Sequence, residues 1–195
     1  MRRYDANRRT VLNALRKLSD EQLLERAPGQ SWLFRPAPQG PDALAESYEF
    51  RLLLEPAAIL TPGFRLDGVK AAALRQSMEA QLALPDAAFD VREFQRLDTE
   101  FHGMIAQGAG NRFVAEAIAG HLRLRRLPGN YPSVNVFRLK QSTREHLAIL
   151  DQLESAQVEV AADLLKVHLR LSRSQRPQAA SRGAPALFSM ISRPR

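Results

Sequence analysis

The sequence contains four histidines and no cysteine, so any metal site must be built from imidazole and carboxylate groups. Asp98 and His102 lie four residues apart in a helical segment, which places both side chains on one face, a turn apart, where they can share a cation. The same spacing is also typical of a solvated or locally hydrogen-bonded pair. Taken alone, it does not establish a metal site.

A length argument brings two further histidines together. The segments that carry His146 and His168 are expected to turn near residues 155–158, and each histidine lies about 11 residues, or roughly 16 Å, from that turn. In an antiparallel hairpin the two side chains stand at the same height among apolar neighbours. They are either ligands or core histidines satisfied by hydrogen bonds. His121 lies in a basic run without such a partner and is interpreted as a non-ligand.

Three imidazoles and one carboxylate suit a borderline divalent ion such as Zn²⁺, Ni²⁺, Fe²⁺ or Mn²⁺, and the residue types do not distinguish among these. Such a set leaves coordination positions for water or for the carboxylate of a ligand. The absence of cysteine excludes disulfide scaffolds, Cys-based zinc fingers and thiol nucleophiles. The sequence also lacks the HExxH, GxSxG and Walker motifs and the paired Glu-x-x-His motifs of di-iron bundles.

Six amphipathic helices are expected to position these side chains. Apolar residues recur at spacings of three and four in six segments, and Pro- or Gly-containing breaks separate most of them. Short connections between long amphipathic helices predict an all-α fold, an antiparallel bundle. The predicted helices are 42–60, 68–84, 87–107, 112–127, 133–154 and 158–173.

The first 40 residues have a different pattern. Asn7 is a suitable N-cap for a helix over 8–18. Two strand-like runs, 22–25 and 31–35, flank a turn at 26–30 and predict a hairpin.

Charge is distributed unevenly along the chain. The formal net charge of +7 divides into +4 for residues 1–40, −3 for residues 41–169 and +6 for residues 170–195. Because both ends are basic and the middle is mildly acidic, any contact with a polyanion is expected at the ends, and the middle is expected to have a different role. The apolar runs are too short to span a bilayer and no basic-then-apolar leader opens the chain, so a cytoplasmic protein with no membrane partner is expected.

Four blocks of the sequence resemble the GntR family of bacterial transcription regulators, in the branch with the all-helical FCD effector domain. Residues 46–58 are similar to its opening helix, with a Tyr-Glu-x-Arg-x-x-x-Glu-Pro pattern. Residues 97–102 resemble its Asp-x-x-Phe-His block, 145–146 its Glu-His block, and 168–169 its last-helix histidine.

The resemblance implies that one metal ion sits inside the bundle and helps to hold a small organic acid. Arg51 matches the arginine of the first-helix pattern and is the candidate partner of the acid's carboxylate. The alternative for Arg51 is a surface ion pair with Glu49 or Glu55. Asn111 matches a recurrent position and is a second effector-binding candidate, although it is equally suited to a turn or a cap. The implied metal ligands are Asp98, His102, His146 and His168.

The amino-terminal piece resembles the last part of a winged helix-turn-helix, with residues 7–15 as the recognition helix and 23–34 as the wing. Arg8, Arg9 and Thr10 are then the candidate DNA contacts. About 30 residues that build two preceding helices in the family have no counterpart here, and DNA binding is expected to need them. The expected organisation is a partial DNA-binding domain at 1–36, a linker at 37–41, an FCD-like metal- and effector-binding domain at 42–173, and an Arg-rich flexible tail at 174–195.

The main hypothesis is a ligand-responsive transcription regulator and not an enzyme. Its homodimer is expected to bind a palindromic operator and to sense a small carboxylate through a metal-containing bundle. The alternative is a small metal-dependent enzyme, a hydrolase or oxygenase, that uses the same Asp/His site. No further Glu or His is placed as an obvious general base for that chemistry. A third reading is a helical interaction module in which the histidines are structural.

Overall fold

The computed structural model describes residues 7–20, 23–29, 31–34, 43–125 and 135–174. Within these ranges the chain forms seven α-helices and one two-stranded hairpin, which confirms an all-α bundle preceded by one helix and a hairpin. The helices are α1 (Arg8–Asp20), α2 (Ala43–Ile59), α3 (Gly68–Ala83), α4 (Val91–Gly108), α5 (Arg112–Arg125), α6 (Val136–Glu154) and α7 (Val158–Ser174), and the strands are β1 (Leu24–Arg26) and β2 (Trp32–Phe34).

Helix α4 begins later than the periodicity predicted. The expected start at residue 87 is wrong, because Asp86–Ala88 forms a short 3-10 turn and the α-helix begins at Val91. The carboxylate of Asp90 accepts the backbone N–H groups of Arg92 and Glu93, which caps the helix at that point.

The amino-terminal elements follow the predicted order. Asn7 caps α1, since its Oδ1 accepts the Thr10 N–H at 2.8 Å. Strands β1 and β2 pair antiparallel with Leu24 opposite Phe34, and Gly29 in the turn adopts φ +89°. The predicted linker at 37–41 and residues 175–195 of the predicted tail lie outside the described residues.

The bundle is organised around α2, α4, α6 and α7. Helix α2 packs against α7, α4 and α5, while α6 packs against α7, α3 and α4. Apolar side chains from α2 to α7 form one continuous core, which includes Ile59, Met78, Phe101, Ile105, Ile118, Ile149 and Leu165. No helix among the described residues combines the length and the apolar character that crossing a membrane requires.

A tight turn joins α6 to α7 and sets their relative height. Ala156 adopts φ +57°, and the Gln157 N–H donates to the carbonyl of Gln152 at 2.8 Å. The two helices therefore leave the turn as an antiparallel hairpin, as the length argument required.

The end of α4 is held closely against the loop between α2 and α3. The Arg65 N–H donates to the Gly108 carbonyl at 2.9 Å. A Cβ at Gly108 would lie 2.9 Å from the Arg65 carbonyl oxygen and would overlap the Phe64 ring. Only glycine fits this contact without displacement of the loop.

We expect Gly108→Ala to lower the free energy of unfolding by about 1–3 kcal/mol through overpacking. Gly103→Ala on the same helix is the matched control, because nothing lies within 4 Å of its Cβ position. That change should be neutral or stabilising by up to about 1 kcal/mol through helix propensity. Urea denaturation measures both, and equal effects of the two substitutions would contradict the proposed contact.

Candidate metal centre

Three histidines from three helices meet in the middle of the bundle. His102 of α4, His146 of α6 and His168 of α7 are buried, and one nitrogen from each can be chosen so that all lie within 4.8 Å of one another. The Nε2 atoms of His146 and His168 are 3.2 Å apart. Two nitrogens at about 2.0–2.1 Å from a tetrahedral ion lie about 3.3 Å apart, so this separation fits a shared ion. Without an ion it allows a hydrogen bond between the rings.

Asp98 borders the same cluster. Its Oδ1 lies 3.6 Å from Nε2 of His102 and 3.9 Å from Nε2 of His146, and the residue is 5% exposed. The structure thus brings together all four residues that the sequence singled out. His121 lies elsewhere, with its Nε2 3.0 Å from the Ser47 hydroxyl.

Two carboxylates lie on the outer side of the cluster, and one of them makes a hydrogen bond to a histidine ring. Oε2 of Glu145 lies 2.7 Å from Nδ1 of His168. A proton on that Nδ1 leaves the lone pair of Nε2 facing inward, as in carboxylate–histidine–metal arrangements. Oε2 of Glu55 lies 2.8 Å from Nδ1 of His102, although the two atoms do not meet hydrogen-bond geometry.

Arg51 is part of this centre. It is 1% exposed, its Nε donates to Oε1 of Glu55 at 2.7 Å, and its Nη2 donates to Nε2 of His102 at 2.7 Å. The surface alternative for Arg51 is therefore wrong. The ion pair with Glu55 exists, but it lies in the core, where neither charge is solvated and each depends on the other.

The pKa values follow from this enclosure. Burial would raise the pKa of Glu55, but the adjacent Arg51 guanidinium outweighs it and holds that pKa well below its usual range. Burial lowers the pKa of His146 and of His168 well below the usual value, and the neighbouring cationic groups lower both further. Both imidazoles are therefore neutral at pH 7, which is the form that binds metals.

Glu145 is itself held in place by a buried arginine that sequence reasoning missed. Nη1 and Nη2 of Arg138 donate to the two carboxylate oxygens at 3.0 and 3.1 Å, and Nη2 also donates to the Ser172 hydroxyl at 2.9 Å. This fork ties α6 to α7 beside His168. The available signal was spacing, since Arg138 and Glu145 are seven residues apart on one helix face.

Phe101 of α4 packs against two of the histidine rings. Its ring stacks on His146 with centroids 4.2 Å apart and meets the edge of His102 at 5.0 Å. The aromatic contacts fix both imidazole planes and keep the space around them apolar.

The other predicted site residues lie on the surface. Asn111 is exposed, and its Oδ1 caps α5 by accepting the Phe113 N–H at 3.0 Å. Arg8 and Arg9 are exposed in the first turn of α1. The Thr10 hydroxyl donates to Oδ1 of Asn7 at 3.0 Å.

The family model of the FCD domain matches residues 46–171, which span the bundle and every residue of the metal centre described above. The chain belongs to the FCD domain family. The resemblance identified from the first-helix pattern and the histidine blocks is thereby confirmed, and the convergent histidines are a feature of this FCD domain.

Solved structures share the fold of this FCD protein at low sequence identity. The first is described as Lar, which controls expression of the Listeria monocytogenes agr system and mediates virulence; it is 15% identical with a TM-score of 0.66, over 89% of this chain and 81% of that one. A putative transcriptional regulator GntR from Rhodococcus sp. RHA1 is 20% identical with a TM-score of 0.63, over 88% and 80%.

The E. coli protein McbR/YncC is also similar, at 21% identity and a TM-score of 0.63, over 83% of this chain and 76% of that one. Comparison with curated protein sequences gave no significant match. The solved structures therefore support the fold, while the FCD match identifies the family.

We expect the metal-free FCD protein to lose stability as the pH falls from about 6.5 to about 5. The pKa values of His146 and His168 are lowered by folding, so the unfolded chain takes up protons that the folded chain does not. The slope is about 1.4 kcal/mol per pH unit for each histidine. Urea titrations with a chelator present measure it.

The matched control for this pH dependence is His168→Asn, which removes one titrating group and should reduce the slope by about half. A free energy of unfolding that does not change across this pH window would contradict the neutral, buried state of the pair.

Proposed function

We propose that this FCD protein is a ligand-responsive, DNA-binding transcription regulator that senses a small organic acid through a divalent transition metal in its bundle. One observation supports the proposal most directly. Three histidines and Asp98 are buried close together beside the Arg51 guanidinium, inside the region that matches the FCD family.

The residues that would hold the metal are Asp98, His102, His146 and His168. Neutral imidazole and carboxylate groups suit Zn²⁺, Ni²⁺, Fe²⁺ or Mn²⁺. Glu145 supports this role by fixing the ring of His168. Nε2 of His102 accepts a hydrogen bond from Arg51, so its use as a ligand requires the guanidinium to turn away. A bound metal would supply open coordination positions to a carboxylate.

Charge balance supports an acidic effector. The inner centre combines one guanidinium, from Arg51, with the carboxylates of Glu55 and Asp98, whereas Glu145 is matched by Arg138. The formal charge of the inner centre is thus −1 without metal and +1 with a divalent ion. A buried excess charge is costly, and a monocarboxylate neutralises it. Arg51 is suited to receive that carboxylate because its planar fork matches carboxylate geometry.

The DNA-reading part of the proposal rests on the amino-terminal elements. Helix α1 presents Arg8 and Arg9 to solvent at its N-terminal end, and the β1–β2 hairpin follows at the position of a wing. Basic groups at the start of a recognition helix contact bases and phosphates. The description of the Listeria protein as controlling gene expression and that of the Rhodococcus protein as a GntR regulator agree with this role.

We further propose that the regulator acts as a homodimer on a palindromic operator. The two DNA-binding heads of the dimer can take more than one arrangement. If the acid binds the dimer more tightly in one arrangement, it increases the fraction of dimers in that arrangement. By linkage, DNA then changes the affinity for the acid by the same factor.

The proposal is tested on a protein that carries the complete winged domain. Binding-site selection from random DNA should recover a palindrome, and small carboxylates are then added to the metal-loaded protein. We expect one of them to change operator affinity about 5- to 150-fold. In Arg51→Lys, which keeps the charge but loses the fork, the acid concentration that gives half of the response should rise at least about tenfold, while operator affinity without acid is retained.

Two results would overturn the proposal. Failure to retain any palindromic site at physiological salt would reject a DNA-binding regulator. An equal response in Arg51→Lys, or in protein stripped of metal, would reject the sensing site while leaving the DNA-binding part intact. Arg96→Lys, in an exposed ion-pair cluster on α4, is the matched control and should respond like the wild type.

A further inference from the structure

Arg51 makes a hydrogen bond to the nitrogen of His102 that a metal would need. Its Nη2 donates at 2.7 Å to Nε2, the ring nitrogen that faces Asp98 at 3.6 Å. An arginine can only donate, so this nitrogen carries no proton and the proton of the neutral ring is on Nδ1. Nε2 has a single lone pair, on which a transition metal binds at about 2.0–2.1 Å. Arg51 and a metal therefore exclude each other at His102.

Two buried atoms on the opposite side of the same ring are unsatisfied. Nδ1 of His102 and Oε2 of Glu55 are 2.8 Å apart but do not meet hydrogen-bond geometry, and neither has another hydrogen-bond partner among the described residues. A buried donor and a buried acceptor in this state are unfavourable. Because the two atoms are already close enough, a change in the plane of the ring would pair them. The contact from Arg51 thus holds His102 in an arrangement that is not its best.

We propose that Arg51 is an internal competitor of the metal, which blocks His102 in the acid-free protein until a small carboxylate takes up its guanidinium. This inference rests on the proposed function and adds how its two ligands depend on each other. Nε of Arg51 donates separately to Oε1 of Glu55 at 2.7 Å and can remain there as an anchor. Only the contact from Nη2 has to break.

The buried charge of Arg51 is the reason that an acid is needed. Once Nη2 leaves His102, it is a charged donor in the core that has lost its acceptor, which is unfavourable. A carboxylate supplies an acceptor in the geometry that a guanidinium fork prefers. It also offsets the positive charge that a divalent ion adds beside the guanidinium. By linkage, the acid raises the affinity for the metal by the factor by which the metal raises the affinity for the acid.

The block is tested with a variant that removes the ion pair and keeps the net charge of the centre. Arg51→Met/Glu55→Gln deletes one guanidinium and one carboxylate but keeps an oxygen beside His102. In a chelator competition without acid, we expect it to bind Co²⁺ at least about tenfold more tightly than the wild type. The matched control is Arg96→Met/Glu100→Gln, an exposed pair with the same spacing, which should bind like the wild type. Circular dichroism confirms folding.

Acetate tests the linkage in the wild type. At a concentration that saturates its effect, acetate should tighten Co²⁺ binding about 5- to 150-fold. Acetamide, which has nearly the same shape and no charge, should leave it unchanged, and chloride at equal ionic strength corrects for screening. In Arg51→Met/Glu55→Gln the effect of acetate should be at least about fivefold smaller, because only direct coordination to the metal remains.

Nitrogen NMR of the metal-free wild type tests the blocked state without any substitution. The proton of the His102 ring should be on Nδ1, and acetate alone should leave it there. A proton on Nε2 would overturn the proposal, because Arg51 could not then donate to that atom.

Two further results would overturn the block and leave the metal site of the proposed function intact. One is equal Co²⁺ affinity of the wild type and Arg51→Met/Glu55→Gln without acid. The other is an effect of acetate that is absent in the wild type or equal in the two proteins. If neither protein binds Co²⁺, the metal site itself is rejected, and this inference is rejected with it.

Discussion

The Arg51–Glu55 pair is the interaction on which the rest of the centre depends. Both side chains are almost fully buried, and neither charge is stable there without the other. Once the pair is in place, the guanidinium reaches His102 on α4 and Glu55 lies against the other side of the same ring. Helix α2 therefore joins α4 through a polar contact in the middle of an apolar bundle. Removal of one member would leave an uncompensated charge in the core.

The second half of the centre is built on the α6–α7 hairpin. The turn at Ala156 sets the height at which His146 and His168 meet, and the Arg138 fork fixes Glu145 beside the outer nitrogen of His168. Each imidazole is thus oriented by a neighbour on its outer side, by a carboxylate or by the ring of Phe101. Such support holds donor atoms within the tolerance that metal coordination needs. Arg51, His102, His146 and His168 come from α2, α4, α6 and α7, so a ligand bound among them would contact four helices at once.

Much of this was predictable from the sequence, for physical reasons. Helix periodicity predicted the bundle, and equal distances from one turn predicted that His146 and His168 meet. The start of α4 was missed because the cap at Asp90 overrides an apolar pattern that continues upstream. Arg51 could not be placed, because the i to i+4 pair with Glu55 has the same spacing on a solvated face as in a core. The spacing of Arg138 and Glu145 indicated a pair on one helix face, but the position of that pair beside His168 comes from the packing of α6 on α7, which the spacing does not report.

The central claim is that Asp98 and three buried histidines form one metal site, and elemental analysis with metal titration tests it most directly. The wild type and His121→Ala, whose histidine lies outside the cluster, should each bind one divalent transition metal ion per chain. His146→Ala and His168→Ala should lose at least about tenfold in affinity or lose the ion, because mutation even of an outer-shell partner of a ligand costs about 10- to 100-fold. Full retention of the ion in both variants, or equal loss in His121→Ala, would contradict the claim.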